Sequence, residues 1–127
     1  MTSAEMHTQI ERYINAYNRF DLNGMLATMS PDVHFENIAN GSVTASTEGQ
    51  TELRALAEQS AGLFASRHQK LLKCSFDGDT ARAEIAFSAI LAQDLPNGPK
   101  QGEKLEFQGR TEFCLRDGLI RSIRDIS

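Results

Sequence analysis

Apolar residues recur along this chain with two different periods, and the change of period divides it in two. Met6, Ile10, Tyr13, Ile14, Tyr17 and Phe20 return at steps of three and four, which is one face of a helix over Ala4–Phe20. Glu11, Arg12, Asn15 and Asn18 take the polar face. Asp21 is suited to cap a second, shorter helix in which Leu22, Met25, Leu26 and Met29 point one way. Ser30-Pro31-Asp32 ends that helix, because the residue before a proline is biased out of the helical region. Val33–Ile38 reads as a short strand with Val33, Phe35 and Asn37 on one face and His34 and Glu36 on the other. Ala39-Asn40-Gly41 is a turn, and Ser42–Ser46 has the composition of a second short strand. A third helix is predicted from about Gly49 to near Ser66, carrying Leu53, Leu56, Ala57, Leu63 and Phe64 toward a core.

Beyond that point the period is two. A strand over Arg67–Phe76 is followed by the hairpin turn Asp77-Gly78-Asp79-Thr80. The next strand, Ala81–Gln93, places Ala83, Ile85, Phe87 and Ala89 on one face and Arg82, Glu84, Ala86 and Ser88 on the other. Leu95-Pro96-Asn97-Gly98-Pro99-Lys100 is a loop, since two prolines and a glycine do not continue a ladder. Strand five, Glu103–Leu115, sets Leu105, Phe107, Thr111, Phe113 and Leu115 against Glu106, Gln108, Arg110, Glu112 and Cys114. Arg116-Asp117-Gly118 turns the chain into a last strand, Leu119–Ile126. The sum is an α+β fold. Three helices from the N-terminal half pack in a strongly curved mixed or antiparallel sheet of about six strands, as a cone-shaped roll with a cavity between the layers. Tyr13, Tyr17, Phe35, Ile85, Phe87, Phe107 and Phe113 occupy the inward faces and are expected to line it.

Composition narrows the function classes. A length of 127 residues makes residues 1–127 one domain, and 40% hydrophobic residues are enough for one core. The net charge is −4, and the 13 basic residues are scattered, so a surface tracking nucleic acid is not expected. The start, MTSAEMHTQI, lacks an apolar signal region, and no apolar run approaches a membrane span; a cytoplasmic protein without membrane contact is expected. Cys74 and Cys114 have no CxxC spacing and read as reduced thiols rather than a disulfide or metal pair. The three histidines form no spaced set with carboxylates, and no nucleotide-binding or nucleophile-elbow motif is present, so no metal or cofactor is expected.

The segments ERYINAYNRFDLNGMLATMSPDVHFEN, GSVTASTEGQTELRAL and FCLRDGLIRSIRDI, in this element order, resemble the nuclear transport factor 2-like superfamily in its SnoaL-like and ketosteroid-isomerase-like branch. That resemblance covers nearly the whole chain and implies a conical ligand pocket. The isomerase branch implies a carboxylate base on the first strand, a tyrosine donor on the first helix and a protonated aspartate donor on a late strand. Here Tyr13 matches the tyrosine, Asn37 stands where the base belongs, and Thr111 falls near the aspartate. Asparagine takes no proton at neutral pH, so the usual base is missing. The epoxide-hydrolase branch implies an arginine flanked by two aspartates; the first two of those positions become Ile85 and Phe87, and only Asp125 remains. Arg82 and Glu84 have a similar spacing but belong to the opposite face.

Each candidate has a plain reading beside its functional one. Tyr13 is either a core tyrosine with a satisfied hydroxyl or a donor facing a ligand. Asn37 either lines the pocket or bonds the turn that follows it. Asp125 shares the inward face with Ile123, so it is paired with an arginine such as Arg110 or Arg124, solvated by pocket water, or shifted in pKa. His34 faces outward as a surface or dimer-contact residue. Two functions follow. One is an enzyme that moves a proton on a small, mostly apolar molecule without a cofactor, in the manner of an isomerase, dehydratase or cyclase. Asp125 and Tyr13 would be its catalytic pair, with Tyr17, Phe35, Asn37, Ile85, Phe87, Phe107, Thr111 and Phe113 around the ligand. The alternative is a non-catalytic module of the same fold that holds an apolar ligand or a partner segment. A homodimer through the outer face of the sheet is expected in either case, because Ala86, Ser88 and Ile90 are small or apolar there.

Overall fold

The computed structural model describes residues 1–96 and 98–127; Asn97, in the loop between the fourth and fifth strands, lies outside the described residues. Helix α1 covers Ser3–Asn18 and α2 Leu22–Ala27. Strands β1 (Met29–Ala39) and β2 (Ser42–Glu48) precede α3 (Gly49–Ala61). Strands β3 (Phe64–Asp77), β4 (Thr80–Leu91), β5 (Lys104–Arg116) and β6 (Leu119–Ile126) complete the chain. The six strands form one mixed sheet in the order β2-β1-β6-β5-β4-β3. Every neighbouring pair is antiparallel except β1 and β6, which run parallel. The sheet is open, with β2 and β3 as its edges, and the three helices lie against one face of it. No helix among the described residues is long and apolar enough to cross a membrane.

Helix α1 starts at a capping box. The Glu5 amide donates to the Thr2 hydroxyl, and the Thr2 amide donates to the Glu5 carboxylate. Its end falls two residues before the expected Phe20. The Phe20 amide donates to the Tyr17 carbonyl and the Asp21 amide to the Ala16 carbonyl, with Phe20 at φ +59°. This is a Schellman ending with phenylalanine at the left-handed position that glycine usually occupies. Asp21 does cap α2, its carboxylate accepting from the Gly24 amide at 2.9 Å.

Met29 belongs to β1, not to α2, and Ser30-Pro31-Asp32 lies inside the strand as an irregularity. The parallel register runs from Met29↔Ile120 to His34↔Ser122, five residues against two. A bulge is where a strand tolerates proline. The helices serve the carbonyls here: Gln50 of α3 donates to Met29 and Ser30 at the bulge and to Leu26 at the end of α2, and Gln9 of α1 donates to Thr28, which caps α2. Helix α3 stops at Ala61, short of Ser66, so Phe64 opens β3 instead of closing the helix.

The core is the seam between α1 and the centre of the sheet. Ile10, Val33, Phe113, Leu115, Ile120 and Ile123 are all essentially sealed from solvent. At the end of α1, Asn18 docks on the free edge of β3 through both halves of its amide. It accepts from the Gln69 amide at 2.7 Å and donates to the Gln69 carbonyl at 3.0 Å. Outside the helices, His34 sits between Glu36, at 2.7 Å, and Glu48, on the surface of the β1–β2 hairpin. Glu36 is the main cause that holds the His34 imidazole above its ordinary pKa.

Candidate functional site

One cross-strand row carries the polar chemistry of the inner face. Asn37 of β1 pairs with Asp125 of β6, and Asp125 pairs with Thr111 of β5. Partners directly opposite in a ladder point to the same side, so register alone sets these three side chains together beneath the helices. The rows on either side are apolar: Phe35, Ile123 and Phe113 below, Ile85 above.

Asp125 accepts a hydrogen bond from the Thr111 hydroxyl at 2.8 Å. No cation pairs with it among the described residues; Arg124 turns to Glu112 at 3.7 Å, and Arg110 is exposed on the other face. What remains accessible of the half-buried Asp125 side chain faces the cavity beneath the helices. Burial raises its pKa from 3.8 to about 6, and the Thr111 hydrogen bond opposes the rise. Asn37 does not share a proton with it: the Asn37 amide donates across the hairpin to the Thr44 hydroxyl at 2.7 Å.

The cavity has two connected parts. The inner one, of about 330 Å³, lies between the helices and the sheet. Tyr13 and Tyr17 of α1, Leu22 and Met25 of α2, Leu53 and Leu56 of α3 and Phe35 of β1 are among the residues of its wall. The outer one, of about 290 Å³, opens over β3–β5, against Ile85, Phe87, Leu105, Phe107 and Thr111. Tyr17, Asn37, Phe64 and Asp125 border both, so the carboxylate stands where the two meet. Phe107 is 51% exposed and forms the rim, its ring tilted against that of Phe87 with the centres 4.9 Å apart. Phe113 borders neither part. It is 1% exposed in the core, edge-on to the Tyr13 ring at 5.8 Å, and supports the wall from behind.

Tyr13 is 4% exposed, and its hydroxyl has no protein hydrogen-bond partner among the described residues. Burial and then the charge of Asp125 hold its pKa well above the ordinary tyrosine value, so it remains a donor at any physiological pH. Tyr17 is raised for the same first reason, with the nearby Arg67 opposing.

Arg67 is the residue that the periodicity did not single out. It is 5% exposed and borders the inner cavity. Its Nε donates to the Tyr17 carbonyl at 2.9 Å. Its guanidinium lies 3.7 Å from the centre of the Tyr17 ring and 4.4 Å from that of Phe20. The parity of β3 held the signal: Arg67, Gln69 and Leu71 alternate onto one face, and Leu71 packs against the core. Arg82 and Glu84 are exposed on the opposite face, away from the cavity. Among the described residues no three His, Cys, Asp or Glu side chains gather as they would around a metal ion.

The comparisons with known proteins agree with this architecture. No curated protein sequence matches the chain. Among solved structures, a candidate polyketide cyclase of Xanthomonas campestris pv. campestris superposes with a TM-score of 0.84 at 18% identity, covering 98% of this chain and 90% of that one. An LEH-like epoxide hydrolase of M. tuberculosis gives 0.76 at 22% identity, over 97% and 82% of the two chains. A protein with a ketosteroid isomerase-like fold from Catenulispora acidiphila gives 0.76 at 15% identity, over 92% and 82%. The model of the SnoaL-like domain matches residues 10–123, and the chain belongs to that family.

Proposed function

We propose that this protein binds a small, mostly apolar carbonyl compound in the divided cavity and moves a proton on it without a cofactor, in the manner of an isomerase, dehydratase or cyclase. The observation that carries this reading is the place of Asp125. It is a carboxylate between two apolar spaces, held by a single hydroxyl, with a pKa of about 6. A base whose pKa lies near the working pH is ionised often enough to take a proton and acidic enough to return it. Tyr13 supplies a free hydroxyl in the same chamber for the oxygen that gains charge as the proton leaves. Thr111 has a different part from the one the isomerase resemblance implies. Its proton goes to Asp125, so it orients the base and is not a donor to the ligand.

A second reading, a non-catalytic ligand-binding module, has one observation in its favour. Asn37, at the position of the usual base, is tied to Thr44 as a structural amide. The test separates the two. 2-Tetralone is an apolar ketone of suitable size with exchangeable α-hydrogens. The protein is expected to accelerate its exchange in deuterated buffer, followed by proton NMR. Asp125→Asn is expected to lower that rate by about two orders of magnitude while the ketone still binds. An equal rate in Asp125→Asn would remove Asp125 from the chemistry. Binding without any accelerated exchange would establish the module.

A further inference from the structure

Arg67 is a buried cation without an anion. Among the described residues no carboxylate pairs with it, and Asp125, the only acidic residue bordering the inner cavity, is not one of its ion-pair partners. A guanidinium carries five N–H donors. One reaches the Tyr17 carbonyl, and another meets only the Met25 sulfur at 4.0 Å. Burying such a group costs free energy unless a charge or a set of acceptors answers it. The two aromatic rings supply part of that compensation through their π faces. They also fix the orientation of the group. Phe20 keeps its ring there from a left-handed backbone conformation, which is unfavourable for a residue with a side chain. Asn18, next to Tyr17, clamps the same end of α1 to β3 two residues beyond Arg67.

We propose that Arg67 is the receptor for a carboxylate on the ligand, so that the natural ligand is a small apolar acid whose anionic end rests on Arg67 and whose body extends along the cavity toward Asp125. The planar fork of a guanidinium matches a carboxylate with two parallel hydrogen bonds, which a neutral amide or ester does not reproduce. The inner cavity that Arg67 borders is walled largely by apolar side chains, Leu22, Met25, Leu63 and Phe64 among them, so the rest of that ligand is apolar. The proposal rests on the cavity being the ligand site, as in the proposed function, and adds the class of ligand.

Calorimetric titration with 2-naphthoate and with 2-naphthamide, equal in shape, tests both layers. The wild-type protein is expected to bind the carboxylate about tenfold to a hundredfold more tightly than the amide, the range of a hydrogen bond to a charged group. Arg67→Met is expected to bring the ratio to about one or below, and Arg67→Lys to keep part of it. Equal affinity of the wild type for the two probes overturns the carboxylate receptor and leaves the cavity reading in place. Failure of both probes to bind overturns the cavity reading, and the receptor with it. Should Arg67→Met not fold, the wild-type ratio decides, together with the Arg67 Nε–H resonance. That resonance is expected to shift with 2-naphthoate and not with 2-naphthamide; no shift with either overturns the proposal.

Discussion

At the scale of single residues, Asp125 makes a pH-dependent contribution to stability. A carboxyl whose pKa rises from 3.8 to about 6 on folding binds more protons in the folded state than in the unfolded one between those two values. Stability therefore falls as the pH rises through that window. The penalty is absent below about 3.8 and complete above about 6. Its size follows from the shift and from the part of the side chain that faces the cavity, roughly 1–3 kcal/mol. Asp125→Asn keeps an acceptor for Thr111 and removes the buried charge. It is expected to raise the thermal midpoint at pH 7.5 and to leave it unchanged near pH 3.5. An equal effect at both would mean that packing, not charge, is what the substitution changes. Thr111→Val removes the one hydrogen bond that holds the Asp125 pKa down. The acidic limb of the exchange rate with 2-tetralone is then expected to move above about 6.

At the scale of elements, the sequence was most informative where one residue type and one period agree. The α1 stripe, the hairpin turns at Asn40-Gly41 and Asp117-Gly118, and the alternation of β4 and β5 are each dictated locally, and the fold contains them. The boundaries that moved did so for tertiary reasons. Pro31 reads as a stop, yet β6 pairs with Met29 on one side of it and His34 on the other, and Gln50 answers the carbonyls of the bulge. The parallel pairing of β1 with β6 joins residues about ninety apart, which no periodicity records. That pairing sets Asn37 beside Asp125, so the polar row is a product of topology. Arg67 escaped notice because a strand that begins with a charged residue looks like a surface strand until its neighbours fix the face. Gly109 is a second such case. A Cβ there would lie 2.9 Å from the Ile126 carbonyl oxygen, a backbone atom that cannot swing aside. Gly109→Ala is expected to force the end of β6 away from β5, at a cost of about 1–3 kcal/mol. It should disturb the Asp125–Thr111 hydrogen bond one residue along. A lowered thermal midpoint and a changed pH profile of exchange check this; an unchanged midpoint would show that β6 moves freely at its end.

At the scale of the whole molecule, the helices cover one face of the sheet and leave the other bare. The register explains how the bare face tolerates its charges. Arg82 pairs with Glu112, Glu112 with Arg124, and Arg124 with Glu36, a row of alternating sign across four strands. Neighbours of opposite charge across a ladder neutralise one another, so that row has no need of a partner chain. The band beside it is different. Ala86 and Ser88 of β4 lie opposite Gln108 and Glu106 of β5, and Ile90 follows at the end of β4. Ala86, Ser88 and Ile90 are each only partly covered within one chain. They form a narrow strip of small or apolar side chains, flanked by Lys70 of β3 and by Glu106 and Lys104 of β5. About a two-fold axis each copy offers the other the same strip, with flanking charges of both signs. We propose a homodimer through this band, with the cavities opening away from the interface. Light scattering at micromolar concentration is expected to return twice the 14.1 kDa of the chain. Ser88→Arg, which places a long charged side chain in the middle of the strip, is expected to return a monomer whose thermal midpoint is lower and no longer depends on concentration. A wild-type mass of 14.1 kDa would refute the dimer, and a Ser88→Arg protein of unchanged doubled mass would place the interface elsewhere.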